Sequence, residues 1–220
     1  RARVWAATLK IRSLPVHGRR DTDLALLGFE PKGVLMLSGP PQSGRTAAMR
    51  WFAESVKRRY EDLPLVHLSA RRSSLAGLPI WKSSVTGAEN AGQLLQVLKD
   101  LTSRPAPPDS PSLAIFVEYL PEFAGNNAVE NALTEVVTAC RRNGHLLVAD
   151  GEGPSWTKFS PLLNEVKADR AGLLLQPDAP DGENLLRTPL PRCKRTDFPP
   201  GRGFWVRAGK AIKVQLPLVS

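Results

Sequence analysis

The chain is 220 residues long, a length that suits one large α/β domain better than two small ones. With 42% apolar and 23% charged residues it has the composition of a globular domain with ample core, and no apolar run approaches the ~20 residues that span a bilayer. Thirty basic residues against twenty-one acidic ones leave a net charge of +9, which favours nucleic acid or acidic protein partners without deciding between them.

The chain begins with Arg1 rather than methionine and shows no signal-peptide pattern, so it reads as a piece of something longer, with any membrane anchor in the missing part. Residues 4–11 predict a first strand, residues 14–20 a loop, and residues 21–27 are too short a run to assign. The stretch Gly33-Val-Leu-Met-Leu-Ser-Gly-Pro-Pro-Gln-Ser-Gly-Arg-Thr46 organises the rest of the chain. Residues 34–37 have the length and flanks of a buried strand, Gly39 and Gly44 bracket a loop, and residues 47–59 carry apolar positions at helical spacing. Strand, glycine-bounded loop and helix in that order form the context of a phosphate-binding loop. The spacing fits that pattern except that Arg45 stands where the pattern has lysine.

The physics of such a loop says which parts survive the change. Backbone N–H groups wrap the phosphates and the helix start points its positive end at them, and neither needs a lysine. Thr46 offers a hydroxyl to a magnesium ion. Arg45 keeps the charge in a planar, bulkier group, so binding of ATP persists while the geometry for γ-phosphate chemistry suffers. The candidate nucleotide-binding residues are Gly39, Pro40, Pro41, Gln42, Ser43, Gly44, Arg45, Thr46 and Ala47. The competing reading is a bare strand-to-helix turn.

Residues 65–69 predict a second core strand, in which His67 reads as half-buried, without a partner for a ligand role. Residues 71–79 form a loop with a basic cluster. A helix is expected over residues 88–101, with Leu94, Leu95, Leu98 and Leu101 on one face. Four prolines within residues 104–111 make a stiff exposed connector. The strand after it, residues 113–117, ends in Glu118 and Tyr119. An acid closing such a strand holds the magnesium shell in P-loop proteins, and a second acid beside it orients water. Glu118 takes the first place as candidate catalytic and metal residue, with Thr46 as the other metal residue. Tyr119 takes the second place and cannot act as a carboxylate base. The competing reading of Glu118 is a solvent-exposed strand-end acid. Glu122 lies beyond Pro121, its reach into the site open.

Residues 128–141 predict a helix with Val129, Leu133, Val136, Val137 and Cys140 inward, Gly144 as its C-cap and Arg141 and Arg142 at its negative end. The two cysteines, Cys140 and Cys193, lack metal-ligand spacing and suit a reducing compartment. Residues 145–149 form the next strand, closing on Asp150-Gly-Glu-Gly, where Asp150 repels a γ-phosphate unless magnesium intervenes. A helix over 161–167 and a strand over 172–175 complete the alternation, which implies a mainly parallel sheet with helices on both faces. Residues 203–207 and 211–215 flank Gly209 as a terminal hairpin. From Arg187 onward eight Lys and Arg face one acid, Asp197, and read as a solvated basic surface.

Three stretches resemble the FtsK/SpoIIIE-type ATPase modules, above all the actinobacterial forms and the tandem modules of the type VII secretion ATPase EccC. They are Gly39-Pro-Pro-Gln-Ser-Gly-Arg-Thr46, Lys167-Ala-Asp-Arg-Ala-Gly-Leu-Leu-Leu-Gln-Pro-Asp178 and Phe198-Pro-Pro-Gly-Arg-Gly-Phe-Trp-Val206. The resemblance runs from about Leu14 to the end. It implies a single RecA-like P-loop domain over residues 1–220, assembly with tandem or neighbouring ATPase modules, and handling of a secreted substrate protein or of DNA. It further implies a cytoplasmic domain of a membrane-associated protein. The family's phosphate-loop lysine falls on Arg45, and its acid pair on Glu118 and Tyr119. Two functions are consistent with this resemblance. One is a degenerate module that holds nucleotide, hydrolyses it weakly or not at all, and serves as a docking or regulatory platform in protein export. The other is an active ATP-driven DNA-translocating motor.

Overall fold

The structure, a computed structural model, describes residues 16–20 and 26–217. The strand expected over residues 4–11 lies outside the described residues. All ten described strands join one sheet, in the order β2-β1-β10-β9-β8-β3-β7-β6-β4-β5. Six of these strands run parallel: β3 (Gly33–Ser38), β4 (Leu65–Ser69), β5 (Ser83–Thr86), β6 (Ala114–Glu118), β7 (Leu146–Gly151) and β8 (Gly172–Leu175). Five of them were expected from apolar runs, because strands covered on both faces read as continuous hydrophobic segments. β7 lies between β3 and β6, so these two expected neighbours are one strand apart.

Within each strand alternate residues serve different cores. Leu35 and Leu37 point toward α1 (Arg45–Arg59) and meet Met49, Phe52 and Val56. Val34 and Met36 point the other way, toward α2 (Ala88–Thr102), α3 (Asn127–Asn143), α4 (Pro161–Lys167) and α5 (Ala179–Leu186). Helices on both faces thus position the carboxyl ends of the parallel strands along one rim. The inner face of α3 is as expected, with Val129, Leu133, Val136, Val137 and Cys140 buried and Gly144 left-handed at its end. On α2 the expectation fails for Leu101, which is 50% exposed. The buried line there is Ala91, Leu95, Leu98 and Thr102, and Leu94 and Leu101, seven apart, share a flank beside it.

The remaining strands pair antiparallel. The expected hairpin is β9 (Arg202–Arg207) and β10 (Lys210–Gln215), with β9 on β8. Residues 16–20, expected as loop, form β1 (Val16–Arg20), and β2 (Leu26–Gly28) comes next. The segment Val-His-Gly-Arg-Arg has no alternating pattern, and β1 is fixed by pairing Arg19 with Gln215 far along the chain. β5 and α5 were not anticipated: β5 is polar, and the start of α5 contains a proline, which the first helical turn tolerates. No helix among the described residues is long and apolar enough to cross a membrane.

Candidate phosphate-loop site

The chain leaves β3 at Ser38, turns through residues 39–44 and enters α1 at Arg45. A Cβ on Gly39 would stand 2.5 Å from Ser43 Oγ, so the loop closes on itself. Gly44 is left-handed at φ +96° and packs on Gly201, whose N–H donates to the Ser43 carbonyl at 2.8 Å. The third stretch of the resemblance therefore props the first. Gln42, Tyr119 and Gln176 are three of six non-glycine residues with positive φ among the described residues, and all three border this rim. No side chain caps α1 and no acid occupies its first turn, so the first-turn N–H groups keep their anion-binding character. Thr46 is exposed, and the buried Ser43 Oγ has no hydrogen-bond partner. These features fit a phosphate group.

Arg45 does something else. Its guanidinium is 9% exposed and turns to the end of β7, with Nη1 3.2 Å from Asp150 Oδ2 and Nη2 3.5 Å from Glu152 Oε1. The other carboxylate oxygen of Asp150 accepts the Tyr119 N–H at 2.6 Å. Burial pushes the Asp150 carboxyl up to about 6, against the pull of Arg45 and the Tyr119 N–H. The expected repulsion between Asp150 and a phosphate is thus partly cancelled in advance by the loop's own cation.

The neighbouring acid is equally engaged. Glu118, expected either at a magnesium ion or exposed, is 1% exposed. Its Oε2 lies 2.8 Å from His67 Nε2 and also accepts from Ser73 Oγ. His67, expected half-buried and unpaired, is fully buried. Its Nδ1 is 2.9 Å from Ser84 Oγ, and its ring stacks on Trp81 at 5.1 Å. The structure does not bring Glu118 and Thr46 together: no hydrogen bond links them among the described residues. Tyr119 lies between two guanidinium groups, Arg45 at 5.9 Å and Arg71 at 5.0 Å from its ring centre. Burial, then the nearby Glu118, raises its hydroxyl above the usual tyrosine range. Glu122 reaches the rim only through Arg71, whose Nε donates to it at 2.7 Å.

His67, Ser73, Glu152 and Gly201 are the site residues that sequence reasoning missed. Only Gly201 carried a signal, through the resemblance. Beside the loop lies a cleft of about 410 Å³, whose walls include Pro40, Pro41, Leu174, Leu185, Asn184 and Arg195.

No family model matches the sequence. No curated protein matches it either. Solved structures do. The cytoplasmic domain of the Thermomonospora curvata type VII secretion ATPase EccC superposes with a TM-score of 0.77 at 18% identity, over 98% of this chain and 28% of that one. ATPases 2 and 3 of EssC from Geobacillus thermodenitrificans give 0.76 at 18% identity, over 99% of this chain and 44% of theirs. The pCW3 conjugation coupling protein TcpA, in its monomer form with ATPγS, gives 0.65 at 14% identity, over 94% and 66%. The chain spans less than half the length of the EccC and EssC structures it matches. This chain has the RecA-like P-loop NTPase fold shared by those ATPase domains.

Proposed function

We propose that this chain is a degenerate nucleotide-binding module of an FtsK/SpoIIIE-type secretion ATPase, which holds ATP, hydrolyses it weakly or not at all, and serves as a docking or regulatory platform in protein export. The observation that carries the reading is the buried contact of Arg45 with Asp150 and Glu152. The residue in the lysine position is neutralised by the protein itself, while the backbone cradle of residues 39–44 and the uncapped start of α1 remain. ATP held there would supply a triphosphate to those N–H groups. Tyr119 supplies no carboxylate to orient a water. TcpA, of the same fold, was solved with ATPγS, which supports a nucleotide at this loop.

The docking role draws support from the proline- and leucine-walled cleft beside the loop and from Phe159 near its lip, 98% exposed. The partners of this reading are neighbouring ATPase modules and a secreted protein, in a cytoplasmic setting tied to a membrane only through other parts of a longer chain. The net charge of +9 favours the second reading, a DNA-translocating motor.

Calorimetric titration with ATP and a turnover assay on the purified chain test both. Measurable binding with turnover below about 1 s⁻¹, the slow end of ordinary enzymes, is the expected result. Faster turnover, joined to DNA affinity that falls steeply with salt, would establish the motor instead. Absence of any nucleotide binding at millimolar concentration would reduce the loop to a structural turn.

A further inference from the structure

A magnesium ion at this site would need a carboxylate free to face it, or to face a water in its shell, in nearly ideal octahedral geometry. Each buried acid on the rim already has its partners. Glu118 Oε2 is held by His67 Nε2 at 2.8 Å and by Ser73 Oγ. With Glu118 ionised, Nε2 carries the proton and Nδ1 accepts from Ser84 Oγ at 2.9 Å, a tautomer set by the network. Stacking on Trp81 fixes the ring plane. Asp150, on the adjacent strand, gives Oδ2 to Arg45 and Oδ1 to the Tyr119 N–H. The half-exposed Glu152 leans on the same Arg45. Thr46 stands in the open without a link to any of them.

We infer that this loop takes its nucleotide phosphates without a divalent metal, and that His67 is the positioning residue that keeps Glu118 away from one. The inference rests on the nucleotide reading above. The charge that magnesium would supply comes instead from Arg45 beneath the loop, from the start of α1, and from Arg71, whose guanidinium lies on the outer face of Tyr119. Releasing Glu118 to a metal would strip a fully buried histidine of its acceptor, a cost that a weakly held ion does not offset.

The test is a calorimetric titration of the wild-type chain with ADP and with ATPγS, once in EDTA and once in magnesium. Magnesium complexes the free nucleotide, so affinity is expected to stay within about twofold or to weaken when the metal is added. Tightening by about tenfold or more in magnesium overturns the inference and leaves nucleotide binding intact. Binding of neither nucleotide in either buffer removes the nucleotide reading and this inference with it. Electron paramagnetic resonance with manganese reads the metal directly: no nucleotide-dependent bound manganese is expected, and a stoichiometric signal overturns the inference.

His67→Leu removes the main donor to Glu118, and a metal dependence absent from the wild type should then appear. A folded His67→Leu protein that still ignores magnesium overturns the positioning role of His67. If that variant fails to fold, Ser73→Ala takes its place, because it removes the other donor from a half-buried loop position.

Discussion

The two walls of the site are built from different material. The loop wall, residues 39–44 with the start of α1, is made of backbone: glycine conformations, N–H groups and a prop from Gly201. The acid wall, at the ends of β6 and β7, is made of side chains, and each of them is already satisfied by another part of the protein. A backbone anion site depends on chain geometry, so it survives replacement of lysine by arginine. A hydrolytic site depends on one carboxylate at one place, and the arrangement of Glu118, Tyr119 and Asp150 leaves none free to play that part. The contrast teaches that binding and turnover, joined in an active P-loop enzyme, separate along the boundary between main chain and side chain.

The strongest way to break the contrast is to open the acid wall from the loop side. Arg45→Ala leaves Asp150 buried without its cation. Breaking a buried pair costs roughly 3–5 kcal/mol, and the low end applies because Asp150 escapes by taking up a proton. Urea denaturation at pH 7.5 should show the full loss, and at pH 5 a smaller one. An equal loss at both pH values would mean that Asp150 is not the group left unpaired.

The next effect is on the wild type itself. The Asp150 carboxyl is raised from 3.8 to about 6, so the folded state holds its proton more tightly than the unfolded chain does. Its contribution to stability is fully present below 3.8 and is lost as pH rises through about 6. The span is on the order of 2–3 kcal/mol. Other carboxylates titrate in the same range, and Glu130, lowered chiefly by its hydrogen bond from Ser160, acts in the opposite direction. The difference between wild type and Asp150→Asn isolates the effect, and that difference should vary with pH only across this window. Because protonation of Asp150 also releases Arg45, nucleotide affinity should rise as pH falls from 7.5 to 5.5.

A smaller effect sharpens the loop wall. Gly44→Ala forces a side chain into a left-handed conformation at a cost of roughly 1–2 kcal/mol, and it presses on the Gly201 backbone 3.1 Å away. Thermal melting gives the loss, and nucleotide binding should fall with it. The smallest expected change is Arg45→Lys. Binding persists and turnover stays below about 1 s⁻¹, because Tyr119 still offers no carboxylate. Brisk hydrolysis by this single variant would place the missing acid elsewhere on the rim and erase the distinction between the walls.

Much of this molecule was legible in the sequence because the deciding interactions are local. The apolar run Val-Leu-Met-Leu over residues 34–37 predicts a strand covered on both faces, and the spacing of Gly39, Gly44 and Thr46 predicts the turn into a helix. The inner face of α3 and its glycine cap come from helical periodicity, and the hairpin around Gly209 from two short runs flanking a turn. These features set the fold class and the loop.

What only the tertiary structure decided is which side chain answers which. β1 and β5 have polar sequences and become strands because partners lie beside them, β10 for one and β4 for the other. The insertion of β7 between β3 and β6 brings Asp150 to Arg45 across 105 residues of chain. Register between β4 and β6 carries His67 to Glu118 across 51 residues. A carboxylate has no sequence signature that tells whether it will meet a metal, a guanidinium or an imidazole. That choice is made by strand order and register, which arise from the packing of the whole sheet rather than from any one stretch of the chain.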